Sequence, residues 1–177
     1  MRIIAGAHRG RALRAPRGVE TRPTSDRVRE ALFSILGELS GLRVLDLFAG
    51  SGALGLEALS RGAAAVDFVD RSRDAIEAVR ANLAGLGVAA TTHRADALAY
   101  LRNARDASRQ YDLAFLDPPY RRAAGLGAEL STALLPVLAP GARVVGESDR
   151  RSPLELQMPL TDEHRYGDTL IRIHRAP

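Results

Sequence analysis

From residue 43 onward, short apolar runs alternate with stretches in which apolar residues recur at helical spacing, and this alternation narrows the possible folds more than any other feature. Several runs are almost continuous in apolar residues, which is typical of strands covered on both faces of a parallel sheet. Helices between such strands predict right-handed crossovers and a doubly wound α/β sheet. The runs predicted as strands are residues 43–49, 65–70, 89–94, 111–117 and 142–149.

Helical periodicity fills the intervals between these strands. Ser72 can cap one helix, which Gly85 and Gly87 should end. Pro136 should end or kink the helix before it, because proline inside a helix costs about 3 kcal/mol. The other helices are predicted at residues 52–61, 96–107 and 126–134.

The carboxy-terminal stretch departs from this alternation. Residues 154–158 and 163–174 have strand-like patterns, and Tyr166, Gly167 and Asp168 form a turn signal within the second. No helical pattern remains to connect strands there. An antiparallel hairpin that completes the sheet is therefore expected.

The amino-terminal stretch also lies outside the alternation. Thr24, Ser25 and Asp26 offer acceptor side chains at the start of an amphipathic helix. Residues 2–20 form a basic arm before it, interpreted as a hairpin. The sequence is thus divided into a basic hairpin and helix at residues 1–40 and a larger α/β domain at residues 41–177. The apolar positions of the helix are Val28, Leu32, Ile35, Leu36 and Leu39.

Positive charge is concentrated at the amino terminus. Residues 1–30 carry eight arginines against three acids, a net charge of +5, whereas the rest of the 177-residue chain carries −1. Such an arm is expected to meet phosphates of a nucleic acid. An ordinary solvated surface and an organellar transit peptide are the alternatives, although the segment is poor in serine.

The composition excludes several classes of function. The chain has no cysteine, which rules out disulfides, thiolate metal sites and a cysteine nucleophile. No apolar run approaches the ~20 residues that a membrane span requires, and the amino terminus lacks the apolar centre of a signal peptide. These features predict a cytoplasmic protein.

A glycine-rich loop links the first predicted strand to its helix. Gly50, Gly52 and Gly55 have the spacing of loops that bind a ligand at a helix amino terminus, which by itself is a weak signal. Asp46 precedes them. A carboxylate there would repel the pyrophosphate of NAD but can serve, often through water, the cationic amino group of S-adenosylmethionine (SAM). The loop therefore favours SAM.

Acids also follow the next two strands. Asp70 can accept hydrogen bonds from both hydroxyls of a ribose, a role common to SAM and NAD. Asp96 could accept from the adenine amine, with the Ala97 backbone close to the ring, or could cap a helix. Asp67 points to the other face of its strand and is expected to be solvated or ion-paired.

The strongest local motif follows the fourth strand as Asp117, Pro118, Pro119 and Tyr120. Ligands bind at the carboxyl edge of a doubly wound sheet where the strand order reverses, so this motif should face the glycine loop. The Asp117 side chain and the Pro118 carbonyl can then accept both hydrogens of an exocyclic amine and direct its lone pair toward the methyl group. Tyr120 can stack on the base. The alternative is a proline turn that merely ends a strand.

The four histidines are weaker candidates for a chemical role. Their spacing fits neither a metal site nor a catalytic triad. They are expected to be surface groups or phosphate contacts, and no metal site is predicted. The histidines are His8, His93, His164 and His174.

These motifs together resemble the RsmD family, bacterial enzymes that methylate guanine N2 in 16S rRNA. The resemblance covers nearly the whole chain and is most specific at residues 21–33, where Arg22, Pro23 and Thr24 enter the first helix. It implies a Rossmann-like class I methyltransferase with a seven-stranded, mostly parallel sheet. It further implies SAM as donor and an RNA target met during or after assembly of the small ribosomal subunit. The protein itself is expected to be a monomer.

The resemblance also assigns residues to roles. Those implied to line the cofactor are Asp46, Phe48, Ala49, Gly50, Gly52, Asp70, Arg71, Asp96 and Ala97, with Arg22 and Thr24 closing over the site. Those implied to hold the target amine are Asp117, Pro118, Pro119 and Tyr120. The expected RNA contacts are Arg2, Arg9, Arg11 and Arg14.

Three other functions remain open from the residues alone. The acceptor motif serves any planar amine, so adenine N6 in RNA or DNA, or a glutamine amide in a protein, is an alternative target. A nicotinamide-dependent oxidoreductase would share the glycine loop. An RNA-binding assembly factor without turnover would share the basic arm.

Overall fold

The computed structural model describes residues 1–17, 25–118 and 120–177, and gives only the backbone for residues 120–124. Its helices are α1 (Asp26–Leu36), α2 (Ala53–Ser60), α3 (Arg73–Leu86), α4 (Ala97–Asp106) and α5 (Tyr120–Leu134), with a 3₁₀ turn at Leu135–Val137. Its strands are β1 (Arg43–Leu47), β2 (Ala65–Asp70), β3 (Thr91–Arg94), β4 (Tyr111–Leu116), β5 (Leu138–Asp149), β6 (Leu160–Tyr166) and β7 (Thr169–Arg175).

The seven strands form one sheet in the order β3-β2-β1-β4-β5-β7-β6. The first five are parallel, and β7 pairs antiparallel with both β5 and β6. This is the sheet of class I SAM-dependent methyltransferases, and it confirms the predicted architecture and its carboxy-terminal hairpin. The strand order reverses between β1 and β4, so the carboxyl ends of these two strands border the crevice where doubly wound sheets bind ligands.

Each face of the sheet is covered by a separate apolar core. On one face, Phe68 and Phe115 pack with residues from α1, α2, α3 and the amino-terminal hairpin. On the other, Leu47 and Leu116 pack with Leu101 of α4 and with α5. The strands are buried on both faces, which explains why their sequences are almost continuous in apolar residues.

The amino-terminal arm forms a short hairpin on α2. Ile3 donates its N–H to the Arg11 carbonyl over 3.0 Å, and Arg2 and Ala12 form an antiparallel bridge. Gly6 has a φ of +81°, and a Cβ there would lie 1.8 Å from the Ser60 carbonyl oxygen. The backbone of the arm therefore contacts the body closely, as the predicted hairpin requires.

Most predicted helices and strands are confirmed, with shifted ends. The helix predicted from Ser72 ends at Gly87, and Gly85 lies inside it. The helix predicted at residues 126–134 begins six residues earlier, at Tyr120. The strand predicted at residues 142–149 begins at Leu138, with a register shift around Pro140 and Gly141 that the apolar pattern hid. Ile35, expected on the buried face of α1, is 38% exposed.

The strand-like pattern at residues 154–158 was misleading. This segment is not a strand, although Leu154, Leu156 and Met158 are buried. It lies across α5, where the Gln157 N–H donates to the Ser131 hydroxyl over 2.8 Å. Its alternation therefore reflects packing on a helix and not pairing in the sheet.

None of the helices in the described part of the chain is long and apolar enough to span a membrane.

Candidate active site

The carboxyl ends of β1, β2 and β4 bring the glycine loop, Asp70 and Asp117 to one edge of the sheet. In the parallel pairing of β1 with β4, Asp46 lies opposite Phe115 and Leu47 opposite Leu116. The chain leaves both strands at the same level, so the loops after Leu47 and Leu116 border one crevice. The topology thus juxtaposes the two motifs that the sequence keeps 60 residues or more apart.

Glycine is required in the loop for two different reasons. Gly52 has a φ of +78° at the N-cap of α2. A Cβ at Gly55 would lie 2.4 Å from the Phe68 ring and 2.9 Å from an Asp46 carboxylate oxygen. At Gly50, which has a φ of +55°, nothing lies within 4 Å of such a Cβ. The loop is therefore tightly packed against the sheet at Gly55 and open at Gly50, where a ligand can approach.

Phe48 turns the chain sharply as it leaves β1. Its φ of 71° is rare for a residue with a side chain. In this conformation the N–H groups of Phe48 and Ala49 both donate to the Val69 carbonyl over 3.0 Å. The start of the loop is thus anchored on β2.

Asp46 is buried beneath the loop, with 3% of its surface exposed. One carboxylate oxygen accepts the Gly55 N–H over 2.9 Å. Burial raises the pKa of Asp46 to about 7; the Gly55 hydrogen bond opposes this shift and the nearby charge of Asp70 adds to it. Without a cation nearby, Asp46 is thus close to half-protonated at neutral pH.

Asp70 holds the loop from the side of β2. Its Oδ2 accepts the Gly50 N–H over 3.0 Å, and its Oδ1 accepts the Ser72 N–H over 2.8 Å. Each oxygen keeps a further lone pair, and the side chain is half-buried. Asp70 can therefore order the loop and still accept hydrogen bonds from a ligand. Arg71, the next residue, is exposed.

Asp96 caps α4. Its Oδ1 accepts the N–H groups of Leu98 and Ala99 over 3.0 and 3.3 Å. The capping alternative is thus what the structure shows for this oxygen. The side chain is exposed, whereas the neighbouring Ala97 is buried.

Asp117 and Pro118 follow β4 at the opposite side of the crevice. The Asp117 side chain is exposed to solvent at the crevice, and Pro118 is buried. Partial desolvation by the surrounding protein atoms, followed by the charges of Glu147 and Asp46, raises the pKa of Asp117 well above its ordinary value. Asp117 is therefore a better proton acceptor than an aspartate with the ordinary pKa.

Glu147 is a site residue that the sequence reasoning missed. It lies on β5, where Leu116 pairs with Gly146, so Glu147 follows Gly146 as Asp117 follows Leu116. It is only 4% exposed, and its charge acts on Asp117. An acid near the carboxyl end of a predicted parallel strand was the signal that could have found it, as it found Asp70.

Part of the predicted site lies outside the described residues. This holds for Arg22, Thr24 and Pro119, and for the side chain of Tyr120.

The arginines of the arm differ in their surroundings. Arg9 and Arg14 are exposed and have no acidic partner among the described residues. Arg11 donates to the Gly85 carbonyl of α3. Arg2 is paired with Asp26 over 3.3 Å, although its side chain is 67% exposed. Arg9 and Arg14 are thus the freest to meet a phosphate.

Asp67 belongs to a buried network away from the site. It pairs with Arg109 over 2.9 Å and accepts the Tyr111 hydroxyl over 2.6 Å. The ion-paired alternative for Asp67 is therefore right and the solvated one is wrong. His93 contacts the same carboxylate over 3.2 Å.

His174 also differs from its prediction. It is 4% exposed, and its Nδ1 lies 3.0 Å from the Met158 carbonyl. It is a core residue and neither a surface group nor a phosphate contact.

The acceptors along the crevice suit SAM. Buried Asp46 can serve a cationic amino group through water, Asp70 can accept from ribose hydroxyls, and the exposed side of Asp96 can accept from an amine. The open space above Gly50 allows a ligand to pass between the first two. The residues present therefore fit this cofactor.

Comparison with known proteins gives a family match over almost the whole chain. The family model described as "Conserved hypothetical protein 95" matches residues 1–175. The Bacillus subtilis protein YlbH, named as a candidate rRNA methyltransferase, is 38% identical over 99% of this chain and 98% of its own. The ribosomal RNA small subunit methyltransferase D (RsmD) of Escherichia coli is 42% identical over 69% of this chain and 61% of its own.

Solved structures share the fold. The Escherichia coli protein yhhF, named as a candidate methyltransferase, superposes with a TM-score of 0.84 at 36% identity, covering 99% of this chain and 97% of its own. SMU.776, solved in complex with SAH (S-adenosylhomocysteine), has a TM-score of 0.71 at 17% identity over 85% of this chain and 48% of its own. At that identity the second similarity concerns the fold alone.

Proposed function

The chain belongs to the RsmD/YlbH family of methyltransferases, and from this premise we propose that it transfers the methyl group of SAM to the exocyclic N2 amine of a guanine in 16S rRNA. RsmD is named for the RNA of the small ribosomal subunit and YlbH for rRNA. The basic arm supplies the charge that such a partner requires. We also propose the residue roles given above for the cofactor, the amine and the RNA.

One observation carries the proposal: the loop after Asp46 and the turn at Asp117 and Pro118 leave adjacent strands at the same edge. A donor bound over the glycine loop and an acceptor amine bound at Asp117 would meet across the β1–β4 boundary.

The amine is prepared by the protein groups at this turn. An exocyclic amine has two N–H donors and a lone pair delocalised into its ring. The Asp117 carboxylate and the Pro118 carbonyl can each accept one N–H, which favours a pyramidal nitrogen and aims its lone pair across the crevice. When bound, SAM would supply an electrophilic methyl group on a sulfonium, whose sulfur becomes an uncharged thioether as the methyl–sulfur bond breaks.

Asp117 also suits the proton that must leave. As the nitrogen–carbon bond forms, the nitrogen becomes cationic and then loses one of its protons. The raised pKa of Asp117 favours its acceptance of that proton. The proton then passes to water in the open crevice.

Glu147 favours guanine over adenine. On the Watson–Crick edge of an unpaired base, guanine presents its N1–H donor beside the N2 amine, whereas adenine presents an N1 acceptor beside its N6 amine. The negative charge of Glu147 beside Asp117 would favour a base edge that presents two adjacent donors. With adenine, a carboxylate would face a lone pair.

The proposal is tested with purified protein, radiolabelled SAM and 16S rRNA from cells that lack the enzyme. We expect label in N2-methylguanosine after digestion. Label in N6-methyladenosine would replace the proposal with the adenine alternative, and no label in naked rRNA or in small subunits would refute an rRNA target.

Asp117→Ala should lower methyl transfer at least about a hundredfold, because it removes an acceptor aimed at the reacting amine. SAH should still bind to this variant in calorimetry. Asp106→Ala is the control, since Asp106 is an exposed acid at the end of α4, opposite the site edge. Full activity of Asp117→Ala would exclude the role given to Asp117.

A further inference from the structure

Asn82 lies on α3 and is 4% exposed. Its Oδ1 accepts the Arg14 N–H over 2.8 Å. Its Nδ2 donates to the carbonyls of Arg14 and Ser51, each over 3.0 Å. One buried amide therefore joins the basic arm, α3 and the glycine loop.

On the side of the arm, the Asn82 amide pairs with the backbone of Arg14 as a neighbouring strand would. Both the N–H and the carbonyl of Arg14 are bonded to it, while the Arg14 side chain stays exposed. The position of this arginine thus depends on Asn82. Leu13, which precedes it, is buried in the core beside α3.

On its other side, the Asn82 amide donates to the Ser51 carbonyl in the glycine loop. Ser51 lies between Gly50 and Gly52, and the Gly50 N–H is bonded to Asp70. Contacts therefore run without a break from Arg14 through Asn82 and the loop to Asp70. A ligand that orders the loop also orders the partner of Asn82.

Two other ties fix the arm to α2 without reaching the loop. Glu57 accepts the N–H groups of Ile4 and Ala5 over 2.7 and 3.0 Å. The Ser60 hydroxyl donates to the Ala5 carbonyl and accepts the His8 N–H. Ser60 ends α2, far from the loop at its start. It therefore provides a matched comparison for Asn82.

We infer that Asn82 is a positioning residue that couples the basic arm to the cofactor loop, so that cofactor binding orders the arm around Arg14 and RNA binding at the arm strengthens cofactor binding. This inference rests on the proposed function. Cofactor binding must in turn strengthen RNA binding by the same factor, because coupling between two binding sites is reciprocal. The coupling acts through ordering and requires no large movement.

Amide hydrogen exchange of the full chain with and without SAH tests the first effect. In the wild-type protein, SAH should slow exchange in peptides that cover residues 10–17 as well as in the glycine loop. In Asn82→Ala, SAH should still slow exchange in the glycine loop but should no longer slow it in residues 10–17. Ser60→Ala, which also removes two hydrogen bonds of the arm, should keep the SAH-dependent protection of residues 10–17.

The second effect is measured as the affinity for SAH with and without 16S rRNA. We expect RNA to tighten SAH binding about fivefold or more in wild type and in Ser60→Ala. In Asn82→Ala, RNA should leave the affinity for SAH unchanged, so that the ratio of the affinities with and without RNA is about one.

The outcomes separate the inference from the proposed function. If SAH does not bind, the proposed function falls and the inference falls with it. If SAH binds and protects the loop but leaves the arm unchanged in wild type, only the inference is overturned, and this comparison needs no variant to fold. Arm protection retained in Asn82→Ala would also overturn it.

Discussion

At the scale of single residues, Asp46 combines two opposing requirements. Its burial under the loop disfavours the charged carboxylate and raises its pKa to about 7. The role proposed for it needs that charge, because only the carboxylate attracts a cationic amino group. Cofactor binding should therefore be linked to proton release from Asp46.

This linkage predicts the pH dependence of SAH affinity. Below pH 7, Asp46 is mostly protonated in the free protein and must lose its proton to pair, so affinity should rise as the pH approaches 7 and level off above it. The rise should be up to about tenfold per pH unit. Asp46→Asn should bind SAH more weakly and without this dependence.

Calorimetry in two buffers of different ionisation enthalpy measures the protons released. An unchanged pH profile in Asp46→Asn would assign the dependence to another group. The raised pKa also means that Asp46 destabilises the fold increasingly as pH rises from about 4 to 7, because the unfolded chain loses the proton first. Asp46→Asn should therefore raise the melting temperature at pH 8 while it weakens binding.

Gly55 lies where the glycine loop packs most closely on the sheet. Its missing side chain leaves room for the Phe68 ring and the Asp46 carboxylate, which are both buried. Gly55→Ala should destabilise the protein by about 1–3 kcal/mol, because neither neighbour can move away freely. Urea unfolding measures the difference.

Gly85→Ala is the matched control. Gly85 lies inside α3, and nothing lies within 4 Å of a Cβ placed there. This substitution should stabilise the protein by about 0.4–1 kcal/mol, because it restricts only the unfolded chain. Equal effects of the two substitutions would mean that close packing at Gly55 does not matter.

At the scale of elements, two arginines of the arm lack, within the described residues, the acidic partners that arginines on α3 and on the carboxy-terminal hairpin have. Arg9 and Arg14 on the arm have no acidic partner in the described part of the chain. Arg73 on α3 is paired with Glu77 over 2.7 Å, and Arg165 on β6 with Glu163 over 2.8 Å. Unpaired arginines attract phosphates more strongly because no neighbouring carboxylate offsets their charge.

Replacing Arg9 and Arg14 together by glutamine should therefore weaken RNA binding and flatten its salt dependence. For a single-stranded target, each lost phosphate contact lowers the slope of log K against log salt by about 0.7. Filter binding at several salt concentrations measures the slope. The double substitution Arg73→Gln and Arg165→Gln changes the net charge equally and should leave the slope nearly unchanged. Similar slopes for both variants would mean that Arg9 and Arg14 do not contact RNA and belong to an ordinary solvated surface.

Elements also show what the sequence could and could not predict. Almost continuous apolar runs located β1, β2 and β4 to within two residues, because strands buried on both faces need such runs. Residues 154–158 instead alternate apolar and polar residues, as a strand with one buried face would, but packing on α5 selects the same alternation without pairing in the sheet. The sequence could mark Glu147 as an acid near the carboxyl end of a predicted strand, but only the register of β4 and β5 places it beside Asp117. Register is a tertiary property that local periodicity does not contain.

At the scale of the whole molecule, the arm and the sheet share one core. Ile3 is 1% exposed and belongs to the same apolar cluster as Val44 and Phe68 of the sheet. The arm therefore has no core of its own in the described residues. Its contacts around Ile3 should be lost together with those of the sheet and not before them.

Ile3→Ala tests this cooperativity. It should lower the free energy of unfolding of the whole protein by about 2–5 kcal/mol, because it leaves a cavity in the shared core. Leu160→Ala is the control, since Leu160 on β6 is 49% exposed and should change the stability little. The chain has no tryptophan, so circular dichroism in urea is the suitable measurement.

A single transition with a lower midpoint in Ile3→Ala would show that the arm contributes to global stability. An unchanged midpoint, or an early transition of small amplitude, would instead show that the arm detaches by itself. These outcomes also bear on RNA binding. An arm that stays anchored at Ile3 until the whole protein unfolds needs only local ordering around Arg14 when RNA binds, which reduces the entropic cost of that binding.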